Sequence, residues 1–227
     1  MNSKKEKCLK TKNGISVKAH TVYKNKKGNK VPGASTIAGL LDKPGLHYWA
    51  NKLGLDGIEL NKYLLDKAAI GTLCHSFILS WLEHTGIDTS IYTKQQIDIA
   101  ETSFHKYLDW EKQHKLEPLL LETPLVSEIY QYGGTPDNYC LLDDIPTYID
   151  YKTSNEIYEE MFIQASAYRQ LLEENGHEVE RIYLLRIGRE ETEGFEIQEI
   201  LDTLLYFEIF KHCLDIYNLR KRIKKEK

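Results

Sequence analysis

No apolar run in this chain of 227 residues approaches the ~20 residues of a membrane-crossing helix. A membrane protein of the helical kind is therefore not expected. The N-terminus is lysine-rich with no apolar stretch after it, so no secretory signal is expected either. Cysteine is scarce. Cys8, Cys74, Cys140 and Cys213 form no C-x-x-C pair and no cluster, which argues against a sequence-local zinc or iron–sulfur motif. Reduced, buried thiols of a cytosolic protein are the expectation. There is no internal repeat, and no low-complexity stretch beyond two basic ends.

What is present is an ordinary globular composition, 41% hydrophobic and 28% charged. The length suits one domain with a real core. The net charge of −4 hides an asymmetry. Residues 1–30 hold ten lysines and one acid, and residues 218–227 hold six basic residues and one acid. The middle is therefore strongly acidic. Basic ends around an acidic body suit a protein that grips a polyanion at its rim and holds metal with carboxylates inside. Solvated lysine-rich tails give the same pattern.

The stretch Gly133–Lys152 reads as a hairpin, with strand residues at Tyr139, Leu141 and Leu142 and again at Thr147, Tyr148 and Ile149. Asp143, Asp144 and Pro146 supply turn chemistry. Asp137 opens the hairpin, and Asp150 and Lys152 close it. Side chains alternate along a strand, so Asp150 and Lys152 share a face and Tyr151 takes the other. Carboxylates placed this way bind a hard divalent cation, and a lysine beside them steadies or activates a water. Glu122 and Glu128 lie on the strands leading in, and either could approach such an ion.

Around the hairpin the chain reads as helices first. Ser35 or Thr36 caps a helix carrying Ile37, Leu40 and Leu41, and Pro44-Gly45 ends it. A second helix carries Trp49 and Leu53. A third runs from about Ile58 to His84 and contains His75. A fourth, capped by Thr93 or Ser90, carries Ile97, Ala100, Phe104 and Leu108. Pro118 stops that pattern. Strands over Leu119–Glu122 and Leu125–Tyr130 lead to the hairpin. Thr153-Ser154-Asn155 then caps a helix from about Ile157 to Glu174, on which Gln164 and Tyr168 share a face. Arg181–Ile187 and Phe195–Ile200 are strands. Asp202 starts a last helix whose stripe is Leu205, Ile209, Cys213 and Ile216. The layout predicts an α/β domain with a central mixed β-sheet flanked by helices.

Four features stand in order: Gly71-Thr72-x-x-His75, Gly134-x-x-Asp137, Asp150-x-Lys152 and Gln164-x-x-x-Tyr168. The set resembles the PD-(D/E)XK nuclease superfamily, within it the RecB-like and phage-type exonucleases, over roughly Val31 to Leu172. The segment Val31–Thr36, with Lys43–Leu46 and Trp49-Ala50, is similar to the N-terminal region of phage members. The resemblance implies a restriction-endonuclease-like core, with a basic arm at 1–30, a single nuclease domain at 31–217 and a basic tail at 218–227. Its helical N-terminal part would span about 31–115 and its catalytic core about 116–217. Asp137 and Asp150 would be carboxylate metal ligands, His75 a further ligand and the Tyr151 carbonyl an extra oxygen. Lys152 would orient or deprotonate the attacking water. Gln164 and Tyr168 would contact DNA or brace the site. One or two Mg²⁺ or Mn²⁺ ions are implied.

Two departures stand out. Ser76, Phe77, Ile78 and Leu79 follow the histidine where many relatives place a glutamate, so Glu122 or Glu128 would have to supply one. Cys213 stands alone where iron–sulfur members group their cysteines, so no cluster is expected. The implied activity is metal-dependent exonucleolytic hydrolysis of DNA, on linear ends or single strands, in phage-type or bacterial recombination and repair. The setting would be the cytoplasm of a bacterial or phage-infected cell, with a recombination or single-strand-binding protein as a further partner. The rival readings are a structure-specific or single-strand endonuclease of the same fold, and a non-catalytic nucleic-acid-binding subunit. Tyr48, Trp49 and Tyr63 could stack on frayed bases or serve as core.

Overall fold

The computed structural model describes residues 8–10, 16–18, 21–41 and 44–226, with backbone alone at 8–10, 16–18, 44 and 225. The rest of the lysine-rich stretch 1–20 lies outside the described residues. The chain divides into two compact units.

The first unit is mostly helical. It holds β1 (Cys8–Lys10) paired antiparallel with β2 (Ser16–Lys18), then helices α2 (Pro44–Leu55), α3 (Leu60–Leu82) and α4 (Lys94–Glu111) and the segment Ile187–Gly194. Pro44 opens α2 rather than merely ending the helix before it, as its fixed φ and missing N–H allow at a first position. Thr93 caps α4 through a reciprocal box: its hydroxyl accepts from the Gln96 N–H, and the Gln96 side chain accepts from the Thr93 N–H. Ile70, Leu73, Cys74 and Ile78 bury one face of α3, and Ala100, Ser103, Tyr107 and Trp110 bury one face of α4. Trp49 and Tyr63 meet edge to face at 5.9 Å.

The second unit is α/β. Its five-stranded sheet has the order β3 (Leu116–Leu121), β6 (Asn138–Leu142), β7 (Ile145–Lys152), β8 (Arg181–Ile187), β9 (Phe195–Glu199). β3, β6 and β7 run antiparallel in turn, whereas β7 and β8 are parallel. A parallel neighbour requires a crossover, and helix α5 (Glu159–Glu174) supplies it. Helix α1 (Ala34–Ala38), α5 and helix α6 (Thr203–Lys225) bury a common core with the sheet, including Tyr132, Tyr148, Ile163, Leu171, Ile182 and Phe210. This is the mixed sheet flanked by helices that the layout predicts.

Several local readings change. Pro118 does not stop a segment: it sits within β3, at the sheet edge where its missing donor is tolerated, and a register shift follows between Pro118 and Leu120. Pro146 belongs to β7, opposite Leu141. The turn is the two residues Asp143 and Asp144, both at positive φ (54° and 66°), the mirror-type geometry that matches strand twist. His114 Nδ1 and the Lys115 N–H both bond the Asp143 carboxylate and hold this turn. β4 (Leu125–Ser127) is shorter than expected, because it pairs with β5 (Tyr132–Gly134). Tyr158, not the 153–155 stretch, precedes α5. Asp202 does cap α6, and the basic stretch after residue 217 continues α6 as helix to Lys225.

Two glycines set close approaches. A Cβ on Gly133 would lie 2.3 Å from the Tyr23 ring, and one on Gly134 would lie 2.3 Å from the Tyr168 ring. Residues 22–33 are thus packed into this unit: the Tyr23 hydroxyl meets Thr135 at 2.9 Å, and Gly28 (φ 81°) closes the turn read at 26–29. Cys74, Cys140 and Cys213 are buried free thiols, as expected; the Cys8 side chain lies outside the description. Among the described residues, no helix is long and apolar enough to cross a membrane.

Candidate metal and phosphodiester site

β7 brings Tyr148, Asp150 and Lys152 to one face, because alternate residues of a strand point the same way. Asp150 is 1% exposed. The Tyr148 hydroxyl donates to its Oδ1 at 2.8 Å. Its Oδ2 lies 2.5 Å from Lys152 Nζ, an ion pair without aligned hydrogen-bond geometry, and among the described residues no hydrogen bond reaches that buried oxygen. Tyr151 points to the opposite face, where its hydroxyl accepts from Asn138 Nδ2.

α5 covers the Asp150 face. Lys152, 17% exposed, donates to Gln164 Oε1 at 3.3 Å, and Gln164 Nε2 donates to the Tyr168 hydroxyl at 2.9 Å. The i, i+4 spacing makes that second contact. Tyr168 also meets Tyr148 edge to face at 6.0 Å. A continuous polar chain therefore runs Tyr148, Asp150, Lys152, Gln164, Tyr168.

Asp137 stands one residue before β6. Its Oδ2 accepts the Tyr151 backbone N–H at 2.9 Å, which fixes its carboxylate beside the end of β7. Register brings in Glu122: Leu121 pairs with Asn138, so the next residue meets Asp137, whose carbonyl accepts the Glu122 N–H. Glu122 holds φ at 38°, in the left-handed region that a non-glycine residue visits at a cost. Its carboxylate and that of Asp137 offer oxygens within 4.8 Å of each other. Glu128 is engaged differently, with its carboxylate accepting the Lys26 N–H at 2.7 Å. His75 is a half-buried residue in the middle of α3, in the other unit.

The electrostatics follow from burial. Burial raises the Asp150 carboxyl; Lys152 opposes that shift, and Asp137 adds to it. Burial pulls Lys152 down, but Asp150, then Asp137 and Glu160, outweigh it, and the ammonium ends above its ordinary value. Tyr148 is held neutral by burial and by Asp150 beside it.

These residues fit a hard divalent cation. The donors are carboxylate oxygens, the type that Mg²⁺ and Mn²⁺ prefer. A buried carboxylate oxygen whose one neighbour is a poorly aligned ammonium is a group that a cation would satisfy. Asp137 and Glu122 would hold the ion, with Asp150 near enough to feel the Asp137 charge as a further carboxylate.

Of the residues that the motif pattern singles out, the structure links Asp150, Lys152, Gln164 and Tyr168 through direct contacts and holds Asp137 on the Tyr151 amide between Asp150 and Lys152. Tyr148 and Asn138 escaped it. Tyr148 could have been found from its position two residues before Asp150 on the same strand face.

No family model matches the chain, and no curated protein matches it. Among solved structures, the chain is similar to a candidate exonuclease from Eubacterium rectale at 12% identity and a TM-score of 0.45. That match covers 66% of this chain and 65% of that one, just under two thirds of its length. It is also similar to the alkaline exonuclease LHK-Exo from Laribacter hongkongensis at 13% identity and a TM-score of 0.40, over 86% of this chain and 94% of that one. The complex of LHK-Exo with dAMP gives 14% identity and a TM-score of 0.39, over 87% and 95%.

Proposed function

We propose that this chain is a divalent-metal-dependent deoxyribonuclease of the PD-(D/E)XK type, acting as an exonuclease on linear DNA. The observation that carries the reading is the buried Asp150–Lys152 pair on β7, with Asp137 docked on the amide between them and Gln164–Tyr168 bracing it from α5. An ion pair at this depth costs desolvation and is weak support for stability alone. It is accounted for if the carboxylates hold a cation and the ammonium faces a phosphate.

In this reading Asp150, Asp137 and Glu122 bind Mg²⁺ or Mn²⁺, with the Tyr151 carbonyl beside them. The ion, when bound, supplies positive charge against a non-bridging phosphate oxygen and acidifies water. Lys152, held as an ammonium by Asp150 and Asp137, donates a hydrogen bond and positive charge to the phosphate or to the attacking water. In the chain alone it is too basic to take a proton near neutral pH, so orientation and charge are its role. Gln164 fixes the direction of the ammonium, and Tyr168 fixes Gln164.

The test is release of acid-soluble nucleotides from linear DNA with Mg²⁺ or Mn²⁺. Asp150→Ala/Lys152→Ala should abolish it while the fold persists by circular dichroism. Undiminished release would overturn the assignment. Cutting of closed circular DNA would move the activity to an endonuclease of the same fold.

A further inference from the structure

α6 has two apolar faces. The inward one buries Phe207, Phe210, Cys213 and Leu214. The opposite one repeats Leu205, Ile209, His212, Ile216, Leu219 and Ile223, in alternating steps of four and three residues, with Ile209 at its edge half-buried against the core. That spacing is the seam of a coiled coil, sustained over roughly 27 Å of helix. The sequence pattern expects Leu205 and Ile216 in the core, yet the structure turns them out. Leu205 is 64% exposed, Ile216 47%, Leu219 53% and Ile223 55%. Together these four present roughly 400 Å², as large as the largest apolar patch of a typical monomer and in a row where a solvated helix face carries polar groups.

We infer that this seam pairs antiparallel with the same seam of a second copy of the chain, about a two-fold axis through the middle of α6. Both the register and the charge favour that occupant. Setting Leu205 against Ile223 of the second copy also sets Ile209 against Leu219 and His212 against Ile216, so one offset fills every layer of the seam. Charge is segregated along the helix. Asp202 and Glu208 lie toward its start, Asp215 at its middle, and Arg220, Lys221, Arg222 and Lys224 toward its end. A parallel pair would stack like on like. The antiparallel pair places Glu208 beside Arg222 of the second copy, and symmetry repeats that contact, so two attractive pairs outweigh the single meeting of Asp215 with its own copy at the axis. Glu208 now pairs with Lys211 on its own helix, an exposed contact worth little and readily exchanged. A self-complementary face of this kind generates a closed dimer. A single helix pair lies at the small end of stable interfaces, so the dimer belongs in the micromolar range.

The experiment is sedimentation equilibrium of the full chain from about 1 to about 100 µM, the span appropriate to an interface of this size. A monomer–dimer equilibrium is expected. Ile216→Asp lies on the exposed face and should leave the circular dichroism spectrum unchanged, while weakening the dimer by roughly tenfold or more. Glu208→Arg and Arg222→Glu should each weaken it, and the double variant should restore it. A chain monomeric throughout, a trimer, a dimer indifferent to Ile216→Asp, or a charge swap that fails to rescue would each overturn the inference. So would a wild-type chain that stays monomeric and uses the seam only for a different protein.

Discussion

Replacing Lys152 by methionine keeps the length of the side chain and removes its charge, leaving Asp150 buried with an unpaired Oδ2. Removing one partner of a buried ion pair typically costs about 3–5 kcal/mol, because the other charge remains desolvated. Two features place this site near the lower figure. The Tyr148 hydroxyl still donates to Oδ1, and the 17% exposure at Lys152 lets water approach. A loss of about 3 kcal/mol is therefore expected in urea unfolding at pH 7.5, with EDTA present so that no cation substitutes for the ammonium. In a double-mutant cycle with Asp150→Asn, the two changes should couple by about 2 kcal/mol, since the second removes the stranded charge. The pH dependence is a stricter check. Burial already raises the Asp150 carboxyl in the folded state, and removing Lys152 raises it further. A raised folded pKa means that the group's contribution is intact below the unfolded value, about 3.9, and is lost as pH climbs through the folded one. The variant's deficit relative to wild type should therefore shrink on acidification, by up to about 1.4 kcal/mol per pH unit while Asp150 is titrating. A deficit below about 1 kcal/mol, a strictly additive cycle, or a deficit independent of pH would refute the reasoning.

Three further outcomes follow from particular contacts. Gly134→Ala forces a Cβ to 2.3 Å from Tyr168 and 2.8 Å from Leu171, so it should cost about 2–3 kcal/mol and lower the melting temperature, whereas Gly45→Ala on α2 meets nothing and should be neutral or slightly stabilising. Thr93→Ala breaks the reciprocal cap of α4 and should cost about 1 kcal/mol by chemical unfolding, with no change in the sheet's spectroscopic signature. Burial pushes the Cys74 and Cys140 thiols up to about 12, so at pH 8 both should resist thiol reagents in the folded chain and react promptly in denaturant; the same shift means stability is kept below about pH 9 and declines as the pH rises from there, because only the unfolded thiols then ionise.

The hairpin was legible because its signals are local. Two aspartates between β-branched and aromatic runs mark the turn, and strand alternation alone puts Asp150 and Lys152 together. The ends of β8 were equally plain, since Arg181–Ile187 is a dense apolar run. Readings failed where a long-range partner decides. Pro118 looks like a terminator until β3 is known to be an edge strand. β5 is short and glycine-rich, and it is a strand because Leu125–Ser127 pairs with it and the rings of Tyr23 and Tyr168 close over its glycines. The stripe on α6 has a helical period, but period does not say which of two apolar faces the fold will cover. Glu122 could not be singled out from Glu128 by composition. Register distinguishes them, since Glu122 follows the last β3 residue paired with β6, whereas the Glu128 carboxylate holds the Lys26 amide.

The stretch from Asp137 to Lys152 carries three of the charged groups within sixteen consecutive residues, on a two-stranded ribbon closed by a tight turn. Such ribbons close in about 1–10 µs, long before distant segments find one another. Three of the charged groups are therefore placed by a short peptide, and α5 of the same unit supplies the wall beside them. Transplanting that ribbon into another sheet would carry the spacing of the two carboxylates and the ammonium with it, but not the wall formed by α5 that aims the ammonium.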